Sequence, residues 1–372
     1  MAFGYYTTFT VNPGQVPSTQ TDFPVVIRPI DNRFRDIANG GHVQSSSGYD
    51  IRPYADSAAS TALKFELVVG SYDNSNGAFE MWIKIPSLSN GYVIYLFYGD
   101  PTINTNGTST DTWRSEFKEV MHYPNIMVFS LDDSTSNANN GTNHFCTPSS
   151  GKIDGGIQTS NGAWISTAFG IGTPSSITYS CWCNPSTQGA QFVNYLISLS
   201  IGAGFSWSIF AGGSLDLGIG LFDGTNIANT GTGTFTDADN NVWTKIDVAY
   251  DNAASPKTRI YKNGVSLSIS SPTITGSVAA NDGINIGRRA DNNFYWPGNI
   301  DEVHVLTGVA NPSDWITTEY NNQNNPSSYG PAFFMTMGAE QQPAAGGQNI
   351  DSNILIGFTL QLPAGVTVGG LL

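Results

Sequence analysis

The chain has 372 residues, 40% of them hydrophobic and only 12% charged, about half the charged share usual for a globular protein. Its formal charge of −14 repels nucleic acid phosphates and anionic membrane, which argues against nucleic-acid partners. No run approaches a membrane-spanning length, so no membrane insertion is expected, and Cys146, Cys181 and Cys183 supply neither a disulfide framework nor zinc spacing.

In chain order, strand-like pieces fall at Tyr6–Val11, Phe23–Ile27, Tyr49–Tyr54, Leu63–Val69, Ala78–Ile85 and Val93–Tyr98, separated by Pro, Gly, Asn and Ser, with a turn at Arg33–Ala38. An Asn- and Thr-rich linker runs from Pro101 to Trp113, and a short helix is expected around Ser115–Tyr123. A second domain then opens near Ile126, with strands at Val193–Ser200, Phe205–Ala211, Asp216–Phe222, Trp243–Tyr250 and Ile300–Leu306. Between Thr258–Tyr261 and Val265–Ile269, Asn263-Gly264 predicts a tight type I′ hairpin, because both central residues need positive φ. NPSDWITTEYNN predicts a short helix, with Pro312 in its first turn.

The reading is all-β: two β-sandwich, jelly-roll-like domains, residues 1–118 and 119–340, and a C-terminal extended tail, 341–372. The acidic excess belongs to the second domain, where residues 119–340 hold 7 Lys+Arg against 17 Asp+Glu. In the tail, Ile354, Ile356, Phe358, Leu360 and Leu362 share one face of a strand too short to bury it, which reads as an assembly anchor, an intrachain edge strand or a membrane contact. Cys181 and Cys183 lie two apart on one strand face and are expected as buried free thiols, with a bond from Cys146 to either left open. MAFGYYTTFTVNPG shows neither a basic n-region nor an apolar h-region, so export is not expected.

Two resemblances follow from ordered motifs. TDFPVVIRPID, GYDIRPYAD, FEMWIKIPSLS and YVIYLFYGDP in the first domain resemble an uncharacterised β-domain family that often precedes laminin-G-like modules. Pro53 stands where that family usually has phenylalanine, and the resemblance implies no activity. VFSLDDSTSNANNGT, the Gly-Lys-Ile turn at 151–153, SITYSCWCNPS, the Asn-Gly hairpin and Gly-x-Ile-Asp-Glu-Val at 298–303 resemble laminin-G-like, concanavalin-A-like jelly rolls over about 126–338. This implies a surface-binding protein with host-surface glycan or neighbouring subunits as partners. A surface-type module without an export signal fits a phage virion component assembled in the host cytoplasm, such as a tail fibre, tail tip or capsid decoration. A secreted or cell-surface glycan-active enzyme and a bacterial adhesin are the alternatives.

Candidate chemistry is sparse. The glycanases of this fold carry Glu-x-Asp-x-x-Glu, and Asn299–Val303 lacks both flanking glutamates, so no catalysis is expected. Strand alternation puts Asp301 inward with Val303 and Val305, where it must be hydrogen-bonded or metal-bound, and Glu302 and His304 on the other side. Acidic rim loops of the resembled family often hold calcium, and Asp132 and Asp133, with Asn137 and Asn139 beside them, form the best local cluster, against the alternative of a solvated Asx-rich turn. For sugar, Asn292, Asn293, Tyr295 and Trp296 mix amides with ring faces in one loop, although family position also fits Trp296 as core. If residues 343–372 are an anchor for other virion subunits or for copies of this chain, deleting them leaves two folded domains and abolishes multimers. Light scattering that gives one mass for full-length and shortened protein would refute that role.

Overall fold

The computed structural model describes residues 3–124, 130–160, 162–168, 170, 172–186, 194–198, 208–211, 220–222, 227–230, 234, 236–269, 283–289 and 295–343. Asn292, Asn293 and the apolar tail segment lie outside the described residues. The fold is all-β, with one α-helix among the described residues, Ser313–Asn324.

In the first unit the Tyr5–Val11 strand alternates, burying Thr7, Phe9 and Val11. It pairs with Val93–Tyr98 on one side and Met335–Met337 on the other, and Arg52–Tyr54 extends that four-stranded sheet. The Gln20–Ile27, Met81–Leu88 and Phe65–Leu67 strands form a second sheet, and the two share one apolar core. Met335–Met337 was assigned by sequence to the second domain. The structure returns it to the first unit's sheet, with Val11 opposite Met335 and Phe9 opposite Met337, and three residues are too few to display a period.

The second unit is a jelly-roll-like sandwich. An eight-stranded sheet centred on Ser176–Pro185 and Gly298–Thr307 faces a five-stranded sheet containing Thr142–His144, Trp164–Ser166 and Asn285–Ile286. Both faces of the central strands of the eight-stranded sheet are covered. Ile177, Tyr179, Cys181 and Cys183 enter the core between the two sheets, while Thr178, Ser180 and Trp182 face away from it and are buried too. The three cysteines are free and buried, as expected, and burial pushes the Cys146 and Cys181 thiols up to about 12. Asn263 and Gly264 make the predicted hairpin, with φ of 53° and 75°.

The outward face of that sheet is covered by the first unit and the helix. The Asn322 side chain accepts from Val26 N–H at 2.8 Å and donates to Val26 O at 2.9 Å, and Gln323 Oε1 accepts from Trp182 Nε1 at 2.8 Å. A polar helix is thus buried as a clamp between the units.

Two local expectations are corrected. Ser115–Tyr123 is no helix: Phe117–Met121 is a strand pairing with Gly298–Thr307, Met121 opposite Val303 and Val120 opposite His304. Met121 enters one core and Val120 the other, so tertiary packing overrides local propensity. The second correction is a bulge. Ser180 faces His304 but Trp182 faces Asp301, so one extra residue is inserted at Glu302, whose φ is 49°. The bulge inverts the alternation, putting Asp301 on the Trp182 face with Glu302 and His304. Asp301 does hydrogen-bond as expected: Oδ2 accepts from Lys152 N–H at 2.7 Å and Ile153 N–H at 3.0 Å, closing the Gly-Lys-Ile turn. A Cβ at Gly151 would strike Gly155 O, so only glycine fits there.

Glu119, on the same Phe117–Met121 strand, is fully buried, and among the described residues neither of its oxygens has a hydrogen bond of good geometry, with only Thr167 close enough to favour its charged form weakly. Burial, with the charge of Asp133 adding to it, pushes its carboxyl well above the ordinary range. Below the ordinary glutamate pKa both folded and unfolded chains hold the proton. Above it only the unfolded chain releases it, so folded stability falls by about 1.4 kcal/mol per pH unit. Glu119→Gln should therefore raise Tm more at pH 8 than at pH 4.5. Equal shifts at both pH values would show the carboxyl to be ionised in place.

Candidate ligand-binding surface

Among the described residues the most exposed aromatic side chain lies in a segment with no hydrophobic period. Thr142–His144 is the edge strand of the five-stranded sheet, in register with Trp164–Ser166. Ile165 points into the core, so Trp164 and His144, directly opposite each other, share the outer face. Their rings stack at 3.7 Å with planes 3° apart, and the Arg288 guanidinium carbon lies 3.0 Å from the Trp164 ring centre. Asn285 Oδ1 fixes that guanidinium, accepting from Nε at 3.2 Å and Nη2 at 3.1 Å. Partial burial and the Arg288 charge hold the His144 pKa below its ordinary value, so the ring is neutral at pH 7 and its Nε2 hydrogen-bonds Ser166 Oγ at 3.0 Å.

Phe145 follows, 87% exposed on a left-handed backbone with φ of 66°. Asn143 enforces this conformation: its Oδ1 accepts from Cys146 N–H at 2.8 Å and its Nδ2 donates to Cys146 O at 3.0 Å. A bulky aromatic in this region is strained by about 1–2 kcal/mol. An apolar ring in water on a strained backbone is disfavoured twice.

Asn143 also lines an open groove of about 480 Å³ with Val69, Ser130, Leu131, Asp132 and Asn140. Val69 belongs to the first unit and is 61% exposed, so the groove is built by both units. Of the two residues proposed from sequence as calcium ligands, only Asp132 reaches it. Asp133 is 8% exposed, and its carboxylate is filled by protein donors: Val120 N–H and Thr135 N–H at 3.0 Å on Oδ1, Thr135 Oγ1 at 2.8 Å and Asn139 N–H at 2.9 Å on Oδ2. It ties the loop to the neighbouring strand. The amide nitrogens of Asn137 and Asn139 likewise donate to the Phe117 and Lys118 carbonyls, at 3.1 and 2.7 Å.

The sugar residues proposed from sequence separate in the same way. Trp296 is 1% exposed and packs in the jelly-roll core, its backbone N–H donating to Gly287 O at 2.8 Å, so it presents no open ring face. Tyr295 is half-buried beside it, and Asn292 and Asn293 lie outside the described residues. The sequence signal at Phe145 is Asn-His-Phe-Cys, a lone aromatic in a polar segment whose partners Trp164 and Arg288 are remote in the chain.

Residues 150–314 match a family model of the concanavalin A-like lectin/glucanases superfamily. Among solved structures, the chain is similar to domain 4 of AbnA, a GH43 extracellular arabinanase from Geobacillus stearothermophilus, determined with arabinotriose. The identity is 19% over 55% of this chain and 98% of that one, with a TM-score of 0.44. It is also similar to the binding domain of Paraclostridial Mosquitocidal Protein 1 (15% identity, 55% of this chain and 52% of that chain, TM-score 0.43). A third similar structure is that of botulinum neurotoxin type C in a study of its dependence on two ganglioside molecules (14%, 58% and 53%, 0.44). The chain thus spans about half the length of these two toxin chains. No curated protein matches.

Asp133→Ala removes four accepted hydrogen bonds at a buried site and should destabilise by about 2–4 kcal/mol, whereas the exposed Asp132→Ala should stay within about 0.5 kcal/mol. Urea midpoints measure both, and equal small effects would show that the loop is held by other contacts.

Proposed function

We propose that the protein is a non-enzymatic surface-binding module that engages glycan at the rim around Phe145. The observation that carries this reading is Phe145 itself, an aromatic 87% exposed and held on left-handed backbone by Asn143. Pyranose C–H faces stack on such rings while hydroxyls require hydrogen-bonding groups, which Ser130, Asp132 and Asn140 supply in the adjoining groove. Strain at an exposed residue is maintained by its surroundings and directs attention to what the residue meets. Calcium, if this rim takes it, binds at Asp132 rather than Asp133.

The non-enzymatic part of the proposal rests on the carboxylates. Glu80, Asp301 and Glu302 are at most 1% exposed, beyond the reach of a polymer. In the larger open groove, of about 660 Å³, Asp111 and Glu116 stand beside Lys64 and Arg114, at 3.4 and 4.0 Å. The setting we propose is a particle surface, a phage tail fibre, tail tip or capsid decoration, supported by the weakly charged, Gly- and Asn-rich composition. Phe145→Ala, with Tm unchanged or raised, should lower binding to host-surface polysaccharide at least tenfold. Unchanged binding would remove the glycan role of the rim, and cleavage of the polysaccharide by wild-type protein would overturn the non-enzymatic reading.

A further inference from the structure

The densest cluster of ionisable groups is hidden between the units. His122 Nδ1 lies 2.9 Å from Glu302 Oε2, and His304 Nε2 lies 3.2 Å from the same oxygen. These three residues place one potential ligand atom each within 4.8 Å of one another. Around a tetrahedral zinc with bonds of about 2.0–2.2 Å, ligand atoms stand about 3.3–3.6 Å apart, so each histidine nitrogen is already close to ligand spacing from the shared Glu302 oxygen. Glu80 approaches the same His122 nitrogen, its Oε1 at 3.7 Å. Its Oε1 accepts from Trp82 Nε1, but its fully buried Oε2 has no hydrogen-bond partner among the described residues.

The second layer has the arrangement that metal-binding histidines use, with a carboxylate behind each ring. His304 Nδ1 lies 3.1 Å from Glu319 Oε1. His122 Nε2 stands 3.5 Å from Glu66 Oε2, an ion-pair distance without a hydrogen bond. Trp82 and Trp113 pack on the His122 ring at 5.2 and 5.5 Å, excluding water. Charge points the same way. Glu66, Glu80, Asp247, Glu302 and Glu319 are buried around Lys245 and the two histidines, with Arg114 near Glu319, so negative charge is in excess when the rings are neutral. A divalent cation offsets that excess and leaves the rings neutral. Glu302 itself sits at the bulge with φ of 49°, a strained backbone at the centre of the cluster.

We propose that His122, Glu302 and His304, with Glu80 as fourth donor, bind one divalent transition-metal ion of the zinc type at the junction of the two units. The mixed nitrogen and oxygen donor set and small spacing suit zinc, whereas calcium takes six to eight oxygens. A site this buried loads as the units close on each other, so the metal acts as a structural clasp.

The test is refolding of the full chain from denaturant and chelator, with one equivalent of zinc or cobalt(II) or with none, together with elemental analysis of protein purified from zinc-supplemented cells. The expected result is one tightly held metal per chain in both preparations, a visible cobalt absorption of tetrahedral type and a higher Tm for the metal-refolded chain. Asp132→Ala should keep the metal, and Glu302→Gln and His304→Gln should lose it. Substoichiometric metal in both preparations would overturn the proposal and leave the cluster a proton-held ion-pair network. Metal retained by Glu302→Gln would also overturn it, by placing the ion elsewhere. If neither the chain nor its variants refold, the metal content of the purified wild-type protein decides alone.

Discussion

Everything in this architecture depends on one sheet whose central strands have water on neither face. The Ser176–Pro185 and Gly298–Thr307 strands give one side to the jelly-roll core and the other to the first unit, so ionisable groups on the second side are buried with them. Lys245 shows how that is sustained. Burial alone would lower its pKa, but Asp247 at 2.8 Å and Glu319 at 3.5 Å raise it, and the ammonium stays charged. A buried pair of this kind adds little net stability compared with apolar packing, yet removing one partner costs about 3–5 kcal/mol. The junction is therefore a matter of specificity: the units fit in the one arrangement that pairs these charges.

That rigidity has a consequence at the surface. Val69 comes from the first unit and Ser130–Asn143 from the second, and together they line one groove beside Phe145. A hinge between the units would deform it. The buried network on one side of the jelly roll thus fixes the geometry of the binding rim at its edge, and Asp133 does the same locally by tying the rim loop to the Phe117–Met121 strand.

What the sequence disclosed follows from how local each feature is. The Asn263-Gly264 hairpin depends on two residues and was legible. So were the helix after Pro312, most strands, and the need of Asp301 for hydrogen bonds. The bulge at Glu302 was not, because a single inserted residue leaves no mark on composition yet inverts the alternation on which facing was argued. The Phe117–Met121 strand was missed because its pairing partner lies near residue 303. Trp296 and Phe145 show the same limit: an aromatic in a polar segment fits core or surface alike, and tertiary packing made Trp296 core, one of its two readings, and left Phe145 in solvent. His122 and His304 are isolated in sequence, and their convergence on Glu302 is visible only in three dimensions.

The central claim is that the two units are one cooperative body joined through buried charge. Differential scanning calorimetry of the full chain tests it most directly, by comparing calorimetric with van't Hoff enthalpy. The account predicts a single transition with the two enthalpies equal. Two resolved transitions, one surviving the other, would contradict it.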